Sequence, residues 1–378
     1  MNFSFNDEQR MLADTAAAFL AEVADSAHTR RAMSSEEGFD TSTWRRLCTD
    51  MYWQGILVPE ANGGLELGFV ELAIALEKAG ERLHASPLTA VAAATVALRL
   101  VPDAAASAAI LESIVEGSIV SLAHTDARPN WQDAKVAVTA TSDEGSFCLQ
   151  GEARFVPFGH VAETLLVVAN LPSGLGLFAV PANTPGVVCA RAPTMDQTRA
   201  MASLTLSNVT LPPSACLNEN FAPLLPQLLD ALRIMIGAEQ VGCAQASLDI
   251  SVEYVKERVQ FGRTIASFQA VKHKAADMML KAESARSLLY YAACIADEWL
   301  AGYATPEQLT EAAAMLSSCA GDAAFFNAGT GIQLHGGVGI TEEYDIQLYF
   351  KRARSTENYL GSPADMRELI AQQLLDGD

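Results

Sequence analysis

The spacing of apolar residues changes twice along this chain of 378 residues, and no other feature limits the possible folds as strongly. Up to about residue 117, apolar side chains recur every three or four positions, as in amphipathic helices. From about 118 to about 215, the apolar runs are short, strand-like and separated by turn residues. Beyond about 216 the helical spacing returns in long stripes. This order predicts a mainly α protein with a β insert.

Three domains follow from these two changes. We expect an N-terminal all-helical domain at 1–117, a small, barrel-like β-sheet domain at 118–215 and a C-terminal four-helix bundle at 216–378. More than one unit is also expected from length, because a single hydrophobic core rarely exceeds about 250–300 residues. The predicted strands are 136–140, 147–149, 164–169, 177–180 and 204–209, and the predicted bundle helices are 224–260, 267–301, 306–332 and 342–375. The glycine-rich segment 327–339 should separate the last two helices.

The charge excludes several classes of partner. The chain has 45 Asp and Glu against 25 Lys and Arg, a net charge of −20. Nucleic acid and anionic membrane surfaces both require basic patches, so neither is expected as a partner. No apolar stretch reaches 18 residues and no signal sequence is evident, so we expect a cytoplasmic protein. The seven cysteines include no C-x-x-C pair, which favours reduced thiols over a metal site.

A break between two predicted helices, at residues 258–270, carries groups suited to a dinucleotide. Arg258 offers a planar fork of donors for a phosphate, although an isolated arginine at a helix end more often forms a surface ion pair. Gln260 and Gln269 can form hydrogen bonds at adenine or ribose edges. Phe261 can lie against a flat ring.

A second break, at residues 333–339, lies about 60 residues further on. Gly336 and Gly337 leave backbone N–H groups open for the close approach of a phosphate. His335 and His273 are not spaced like metal ligands, and we interpret His335 as a polar contact beside the glycines. No metal site is therefore predicted.

The two breaks together resemble the C-terminal signatures of the flavin-dependent acyl-CoA dehydrogenases. The resemblance covers essentially the whole chain, because 7–20 is similar to the family's first helix and 53–64 to its glycine-rich turn. It implies an FAD cofactor held across a dimer interface, with these motifs binding the FAD of a neighbouring subunit. The cofactor-binding residues that it implies are Arg258, Gln260, Phe261, Gln269, Gln333, Gly336 and Gly337.

The isoalloxazine end of this FAD should lie against the β domain, where the resemblance is weaker. The family usually has Thr-Glu-x-x-Ala-Gly-Ser-Asp and, later, Trp-Ile-Thr-Asn. This chain has different residues at 123–131 and 155–162, so the strand positions correspond but the polar flavin contacts differ. Backbone groups are the alternative flavin partners in this domain.

The catalytic residue is unknown, because the glutamate of the family is missing from both of its usual places. That glutamate removes the α-proton of an acyl-CoA while the β-hydrogen leaves as hydride to the flavin. In this chain Leu360 and Leu232 occupy the two positions, and leucine cannot accept a proton.

Three nearby acids, Glu357, Asp230 and Glu239, are more simply interpreted as exposed or structurally paired. A one-residue slip in the alignment is another way in which the base would have been missed.

The motifs are most similar to the bacterial heterotetrameric, steroid-degradation-type branch of the family. That resemblance implies an α2β2 assembly in which a homologous partner subunit supplies the glutamate. It also implies an acyl-CoA substrate, with a steroid side-chain CoA thioester among the candidates, and an acceptor of the electron-transfer flavoprotein type. Two alternatives stay open: a non-catalytic structural paralogue, and a flavin oxidase or monooxygenase on the same fold.

Overall fold

A computed structural model of the chain describes residues 5–101, 105–126, 135–143 and 145–376. The α-helices are α1 (Asp7–Val23), α2 (Ser26–Ser34), α3 (Thr41–Arg46), α4 (Phe69–Glu81), α5 (Leu88–Arg99), α6 (Ala105–Val115), α7 (Leu225–Glu257), α8 (Gln269–Leu300), α9 (Pro306–His335), α10 (Ile346–Glu357) and α11 (Pro363–Asp376). The strands are β1 (Val120–Ala123), β2 (Thr139–Asp143), β3 (Ser146–Pro157), β4 (Thr164–Leu171), β5 (Gly174–Pro181), β6 (Val187–Ala192), β7 (Met201–Leu211), β8 (Cys216–Asn218), β9 (Val259–Gln260) and β10 (Arg263–Thr264). A mainly α fold with a central β-sheet is thereby confirmed.

The internal contacts group the chain into two compact units. The helical unit comprises Met1–Arg30, Phe69–His84 and Arg233–Asp378, and the sheet unit comprises Arg31–Gly68 and Ala85–Leu232. The three predicted domain boundaries are not tested by this grouping and stay a prediction. Among the described residues, no helix is both long enough and apolar enough to cross a membrane.

Two glycines allow α4 and α7 to cross closely within the helical unit. A Cβ on Gly80 would lie 2.3 Å from the carbonyl oxygen of Glu239, and one on Gly242 would lie 2.0 Å from that of Glu77. Both helices therefore carry Glu-x-x-Gly at the crossing, and each glycine faces the backbone of the other helix's glutamate. Any side chain at either glycine would push the helices apart.

A buried asparagine ties three helices of the bundle together. The Nδ2 of Asn327 on α9 donates to the carbonyl oxygens of Ala244 on α7 and Met278 on α8, each at 3.0 Å. The amide is completely buried, so its two bonds fix the register of α9 against both neighbours. The ends of α7 and α9 and the start of α8 are consequently held at one end of the unit.

Two predicted helix boundaries in the bundle were wrong. The helix α9 continues into the glycine-rich segment as far as His335, and its Gly331 serves packing: a Cβ there would lie 2.6 Å from Ile346 and 2.8 Å from Ser251. The predicted helix 342–375 is divided into α10 and α11. The division falls at Leu360 and Gly361, whose φ angles are +66° and +116°, outside the helical region.

In the sheet unit, the strand order is β6-β7-β3-β2-β4-β5-β8, with β1 paired parallel to β4. Neighbouring long strands such as β3 and β7 are antiparallel. The prediction placed β3, β4, β5 and β7 but began β2 three residues too early and omitted β1, β6 and β8. The pairing of β3 with β7 shifts register between Ala153 and Val156, just before the end of β3. This irregularity lies at the start of residues 155–162, whose sequence is compared with that of the family below.

Candidate functional site

The seven residues predicted to bind the cofactor are all exposed, and all belong to the helical unit. We call them the motif surface: Arg258, Gln260, Phe261, Gln269, Gln333, Gly336 and Gly337. They lie at the end of α7, at the start of α8 and at the end of α9, so the fold brings the two sequence breaks to the same end of the bundle.

A tight hairpin directly follows α7. The strands β9 and β10 pair antiparallel, with Arg263 opposite Gln260, and Phe261 and Gly262 form the two-residue turn. Both turn residues have positive φ, +53° and +78°, as a type I′ turn requires. Asparagine usually takes the first place, and a bulky residue in this left-handed conformation costs roughly 1–2 kcal/mol. Phe261 nevertheless sits there with 90% of its surface exposed.

The side chains of Arg263 and Phe268 support the hairpin. The Arg263 guanidinium lies 4.0 Å from the centre of the Phe268 ring, and Phe261 meets the same ring edge-on at 6.2 Å. A cation over an aromatic face is attracted by the ring quadrupole, so Arg263 is held in place although it forms no ion pair with an acid among the described residues. The exposed Phe261 ring is thus oriented before anything binds it.

Tyr254 connects the two sequence breaks. Its ring stacks on His335, with centroids 4.2 Å apart and planes inclined by 21°, and its hydroxyl donates to the His335 carbonyl at 3.3 Å. Tyr254 precedes Arg258 by about one helical turn, and His335 directly precedes Gly336. The sequence prediction missed Tyr254, whose position four residues before the arginine was the available clue.

His335 has a structural role on this surface. Its Nδ1 lies 2.7 Å from the Gly331 carbonyl oxygen, which assigns the ring proton to Nδ1. Burial lowers the pKa of His335 below its usual value, so the neutral ring is favoured. The histidine therefore fixes the end of α9 rather than presenting a charge to a ligand.

The segment 258–274, which carries the first four residues of the motif surface, has a charge opposite to that of the chain. Residues 258–274 contain four cations, Arg258, Arg263, Lys272 and Lys274, and no carboxylate. Within the described ranges, no carboxylate oxygen lies within 4.0 Å of the Arg258 guanidinium nitrogens. On a protein with a net charge of −20, this local excess of positive charge suits an anionic ligand such as a pyrophosphate.

The glycines of the second break leave open space. A Cβ added to Gly336 or Gly337 would meet no atom within 4 Å, and Gly336 has a φ of +64°. The expectation that both amides are open was wrong for Gly336, because its N–H donates to the carbonyls of Gln333 and Ile332 at the end of α9. Gly336 therefore caps α9. The space where side chains would stand on Gly336 and Gly337 is empty, so a ligand can approach the backbone there closely.

Both positions at which a catalytic glutamate was sought are buried leucines. Leu360, in the helical unit, is 2% exposed, and Leu232, in the sheet unit, is 3% exposed. The carbonyl oxygen of Leu360 accepts a hydrogen bond from Nε of Arg233 at 3.0 Å, which holds this left-handed backbone in place. A one-residue slip supplies no base either, because the residues adjacent to both leucines are not acidic.

The three acids considered as alternatives are engaged elsewhere. Glu239 is buried and pairs with Arg352 at 3.2 Å, and Glu357 accepts a hydrogen bond from Arg354. Asp230 is buried and has an interaction partner. These contacts favour structural roles for all three.

A cavity of about 800 Å³ lies elsewhere in the helical unit, between α4, α7 and α8. Its polar groups are already paired: Arg286 donates to Glu77 and Gln245 at 2.8 Å, and the Tyr290 hydroxyl donates to Glu77 at 2.5 Å. Burial raises the pKa of Tyr290, so its proton stays on the hydroxyl. None of the seven residues of the motif surface lines this cavity. Its volume by itself is not evidence of a ligand-binding site.

In the sheet unit, the family's two flavin-contact stretches correspond to 123–131 and 155–162. Residues 127–131 lie outside the described residues. Thr125, missed by the sequence prediction, has a buried hydroxyl without a hydrogen-bond partner among the described residues. Its place before Asp126 matches the Thr-Glu start of the family stretch, which was the clue to it.

Sequence profiles agree with this architecture. The profile of the acyl-CoA dehydrogenase N-terminal domain matches residues 6–117, and that of the C-terminal domain matches residues 224–375. The chain belongs to the acyl-CoA dehydrogenase family, whose members are FAD-dependent oxidoreductases.

Individual relatives indicate which branch of the family this chain resembles. The chain is 33% identical to the acyl-CoA dehydrogenase IpdE2 of Mycobacterium tuberculosis over 372 residues, covering 97% of this chain and 98% of that protein. It is 29% identical to a variant of the steroid ACAD Tcur3481–Tcur3483, with a TM-score of 0.85 and 98% of each chain covered. It is 26% identical to a chain of the ChsE4–ChsE5 complex of Mycobacterium tuberculosis, with a TM-score of 0.86 and 100% of each chain covered. The predicted resemblance to the steroid-degradation-type branch is confirmed.

Proposed function

We propose that this chain is a subunit of an FAD-dependent acyl-CoA dehydrogenase that relies on a homologous partner subunit for the catalytic base. The observation that carries this proposal is the pair of buried leucines at the two base positions, Leu232 and Leu360. The reaction is the α,β-dehydrogenation of an acyl-CoA thioester. In the assembly, this chain contributes its motif surface to an FAD site that is completed by the partner.

Proton removal is the step that this chain cannot perform by itself. Abstraction of the α-proton requires an acceptor within hydrogen-bonding distance, and such a base commonly contributes about 10²–10⁴-fold to the rate. The bond from Arg233 to the Leu360 carbonyl fixes the backbone at this point, so a shifted loop does not bring another acid there. The chain alone should therefore be nearly inactive.

The motif surface fits the adenosine diphosphate part of FAD. Arg258 would pair with the pyrophosphate, Gln260 and Gln269 would bind adenine or ribose edges, and Phe261 would lie against the adenine ring. Gln333, Gly336 and Gly337 would line the opposite side, where the open glycines allow close approach. The bound FAD supplies the acceptor for the hydride.

The helical unit also exposes large apolar side chains beside the two sequence breaks and along α8: Val259, Phe261, Met279, Leu280 and Ile340. Soluble monomers rarely leave large contiguous apolar patches uncovered, and such patches mark interaction surfaces. This set favours a subunit interface at the motif end of the bundle. The ChsE4–ChsE5 relative is a complex of two differently named chains, which supports a homologous partner and an α2β2 assembly.

The relatives support a proposal for the substrate class. The likeness to a steroid ACAD supports a bulky or steroid-derived acyl-CoA, including a steroid side-chain CoA thioester. We further propose an electron acceptor of the electron-transfer flavoprotein type and a cytoplasmic location.

The proposal is tested by producing the chain alone and together with a homologous chain encoded beside it. Dehydrogenation of a panel of acyl-CoAs would be followed with an artificial electron acceptor. We expect activity from the pair and about 10²–10⁴-fold less from the lone chain. Full activity from the lone chain would refute the partner model, and Glu239→Gln, Glu357→Gln and Asp230→Asn would then locate the base. Oxygen consumption without an acceptor would instead indicate an oxidase.

A further inference from the structure

We infer that Tyr254 is a positioning residue of the motif surface, which sets the separation between Arg258 and the glycine turn at 336–337. Tyr254 acts together with His335 and Tyr344, and we call these three aromatic side chains the ring cluster. The inference deepens the proposed function and rests on it, because it takes the diphosphate of FAD as the ligand of the motif surface. It concerns side chains that support this surface rather than bind the diphosphate.

The first link of the ring cluster runs along the chain to Arg258. Tyr254 lies in the last turn of α7, and its carbonyl oxygen accepts a hydrogen bond from the Arg258 N–H at 2.9 Å. The Arg258 carbonyl oxygen in turn accepts a hydrogen bond from the Ile265 N–H at 2.8 Å, beyond the hairpin. Among the described residues, no carboxylate forms an ion pair with Arg258. The position of this arginine is therefore set by the backbone of α7 and of the hairpin.

The second link of the ring cluster crosses to the glycine turn. The Tyr254 ring stacks on the His335 ring with centroids 4.2 Å apart, and the Tyr254 hydroxyl donates to the His335 carbonyl oxygen at 3.3 Å. His335 directly precedes Gly336, and the chain then folds back on it, because a Cβ on Gly339 would lie 2.9 Å from the His335 Cβ. A displacement of the His335 ring would therefore move the glycine turn as well.

Tyr344 adds a third ring, from the segment that follows the glycine turn. It meets Tyr254 edge-on at 6.1 Å and His335 at 5.9 Å, with ring planes inclined by 87° and 72°. Such edge-to-face pairs are favourable because the positive edge of one ring approaches the negative face of the other. The ring cluster thus joins the end of α7 to the end of α9 and to the segment after it.

A diphosphate held between a guanidinium and a backbone turn binds well only if the two sides keep their separation. Binding groups have to be held within about 0.5 Å of the productive geometry by packed neighbours, and otherwise ordering them opposes binding. Arg258 follows α7 and the glycine turn follows α9, so their separation depends on contacts between these two helices. The ring cluster is such a contact. Loss of its stack should weaken FAD binding although Arg258 and the glycines are unchanged.

The test is a fluorescence titration with FAD, after removal of the flavin, of the purified complex of this chain with its homologous partner. Tyr254→Leu removes the ring and should weaken FAD binding roughly 5–10-fold, the size of effect expected for a lost aromatic pair. Tyr254→Phe keeps the stack and should retain the affinity within about 2-fold. Unchanged affinity in Tyr254→Leu, or an equal loss in Tyr254→Phe, would overturn the inference.

A more exposed ring provides a second variant if Tyr254→Leu does not fold. Tyr344 is 37% exposed, so its removal leaves a smaller defect in the core. Tyr344→Leu should weaken FAD binding about 2–3-fold, because the edge-on contacts to both other rings are lost. An affinity equal to that of the unchanged complex would then overturn the inference.

A matched tyrosine separates positioning from general destabilisation. The Tyr349 hydroxyl donates to the Glu81 carbonyl oxygen at 2.6 Å, within the same helical unit but outside the motif surface. Tyr349→Phe should lower the urea midpoint of the chain and leave the FAD affinity of the complex unchanged. If Tyr349→Phe weakened FAD binding as much as Tyr254→Leu, lost stability would account for both changes and the inference would fail.

A double-mutant cycle shows whether Tyr254 acts through Arg258. The loss of FAD affinity caused by Arg258→Ala should be smaller in the Tyr254→Leu background than in the unchanged chain, because coupled residues give non-additive effects. Strictly additive losses would mean that the two residues act independently, which would contradict the positioning role.

Arg258→Ala by itself separates this inference from the proposed function. We expect it to weaken FAD binding roughly 10-fold or more, as expected for a lost charge-assisted hydrogen bond. Unchanged affinity in Arg258→Ala would contradict the role of the motif surface, and hence the proposed function. A loss with Arg258→Ala together with unchanged affinity in Tyr254→Leu would refute the positioning role alone.

Discussion

The motif surface and the end of β3, residues Phe155–Phe158, which we call the strand end, differ in what their backbone and side chains do for the fold. At the strand end, the Phe158 N–H, the Pro157 carbonyl and the Phe158 ring are all engaged within the chain. On the motif surface, Phe261 and the open glycines contribute little to the protein's own core. Groups that the fold does not use are available for a ligand, and groups that the fold already uses are not.

Backbone strain shows the same difference. Phe155, Phe158 and Phe261 all have positive φ, between +51° and +55°. For Phe158, burial of the ring offsets this cost within the chain, beside the register shift of β3. For Phe261, no such compensation is present, because its ring is 90% exposed. Strain that is not offset internally points to stabilisation by a partner or ligand.

The largest expected effect compares two phenylalanines. Phe158→Ala should destabilise the chain by about 3–5 kcal/mol, because it leaves a cavity where a buried ring packed. Phe261→Ala should leave the stability of the isolated chain nearly unchanged and should lower flavin retention in the complex. Urea denaturation and flavin quantification measure the two properties. Equal losses of stability in both variants would remove the distinction between the two regions.

The next effect concerns the cation of the motif surface. Arg258→Ala should weaken FAD binding to the complex by about 1.5–3 kcal/mol, since a hydrogen bond to a charged group is lost. Arg258→Lys keeps the charge but loses the planar fork, so an intermediate affinity is expected. Fluorescence titration with FAD after removal of the flavin measures this change. A fall in the urea midpoint comparable to that of Phe158→Ala would assign Arg258 to the fold instead.

A smaller effect is expected at the strand end. Ser121→Ala should cost about 1–2 kcal/mol of stability, because the buried Pro157 carbonyl loses its donor. Flavin content of the complex should be unaffected. Thermal unfolding and flavin quantification on the same sample provide the check. Flavin loss without a loss of stability would contradict the purely structural role of the strand end.

The smallest effect is a dependence of stability on pH. Burial lowers the pKa of His160 in the sheet unit and of His335 in the helical unit below the usual value of 6.5. The unfolded chain therefore binds protons more readily, so this stability is fully present above about pH 6.5 and decreases as the pH falls below it. The unfolding temperature should be lower at about pH 5.5 than at about pH 7.5, and the difference should shrink in His160→Gln and His335→Gln. No change between these pH values would contradict the assigned burial.

The sequence by itself determined the features that depend on local pattern or on residue identity. Apolar periodicity separated helical from sheet regions because each secondary structure presents side chains to its core with its own repeat. The motif residues could be proposed as cofactor ligands because the chemistry needed is carried by particular side chains, such as Arg258. The identity of residue 360 was equally clear from the sequence, because a leucine is not an acid in any fold.

Only the tertiary structure decided features that arise between distant residues. The glycine-rich segment 327–339 predicted a break between helices, yet α9 continues to His335, and Gly331 within it leaves room for Ile346 and Ser251 to pack closely. The stacking of Tyr254 on His335, residues 81 positions apart, places the two sequence breaks at one end of the bundle. Local pattern could not reveal these contacts, because packing and hydrogen bonding between distant segments are set by the assembled core rather than by neighbours in sequence.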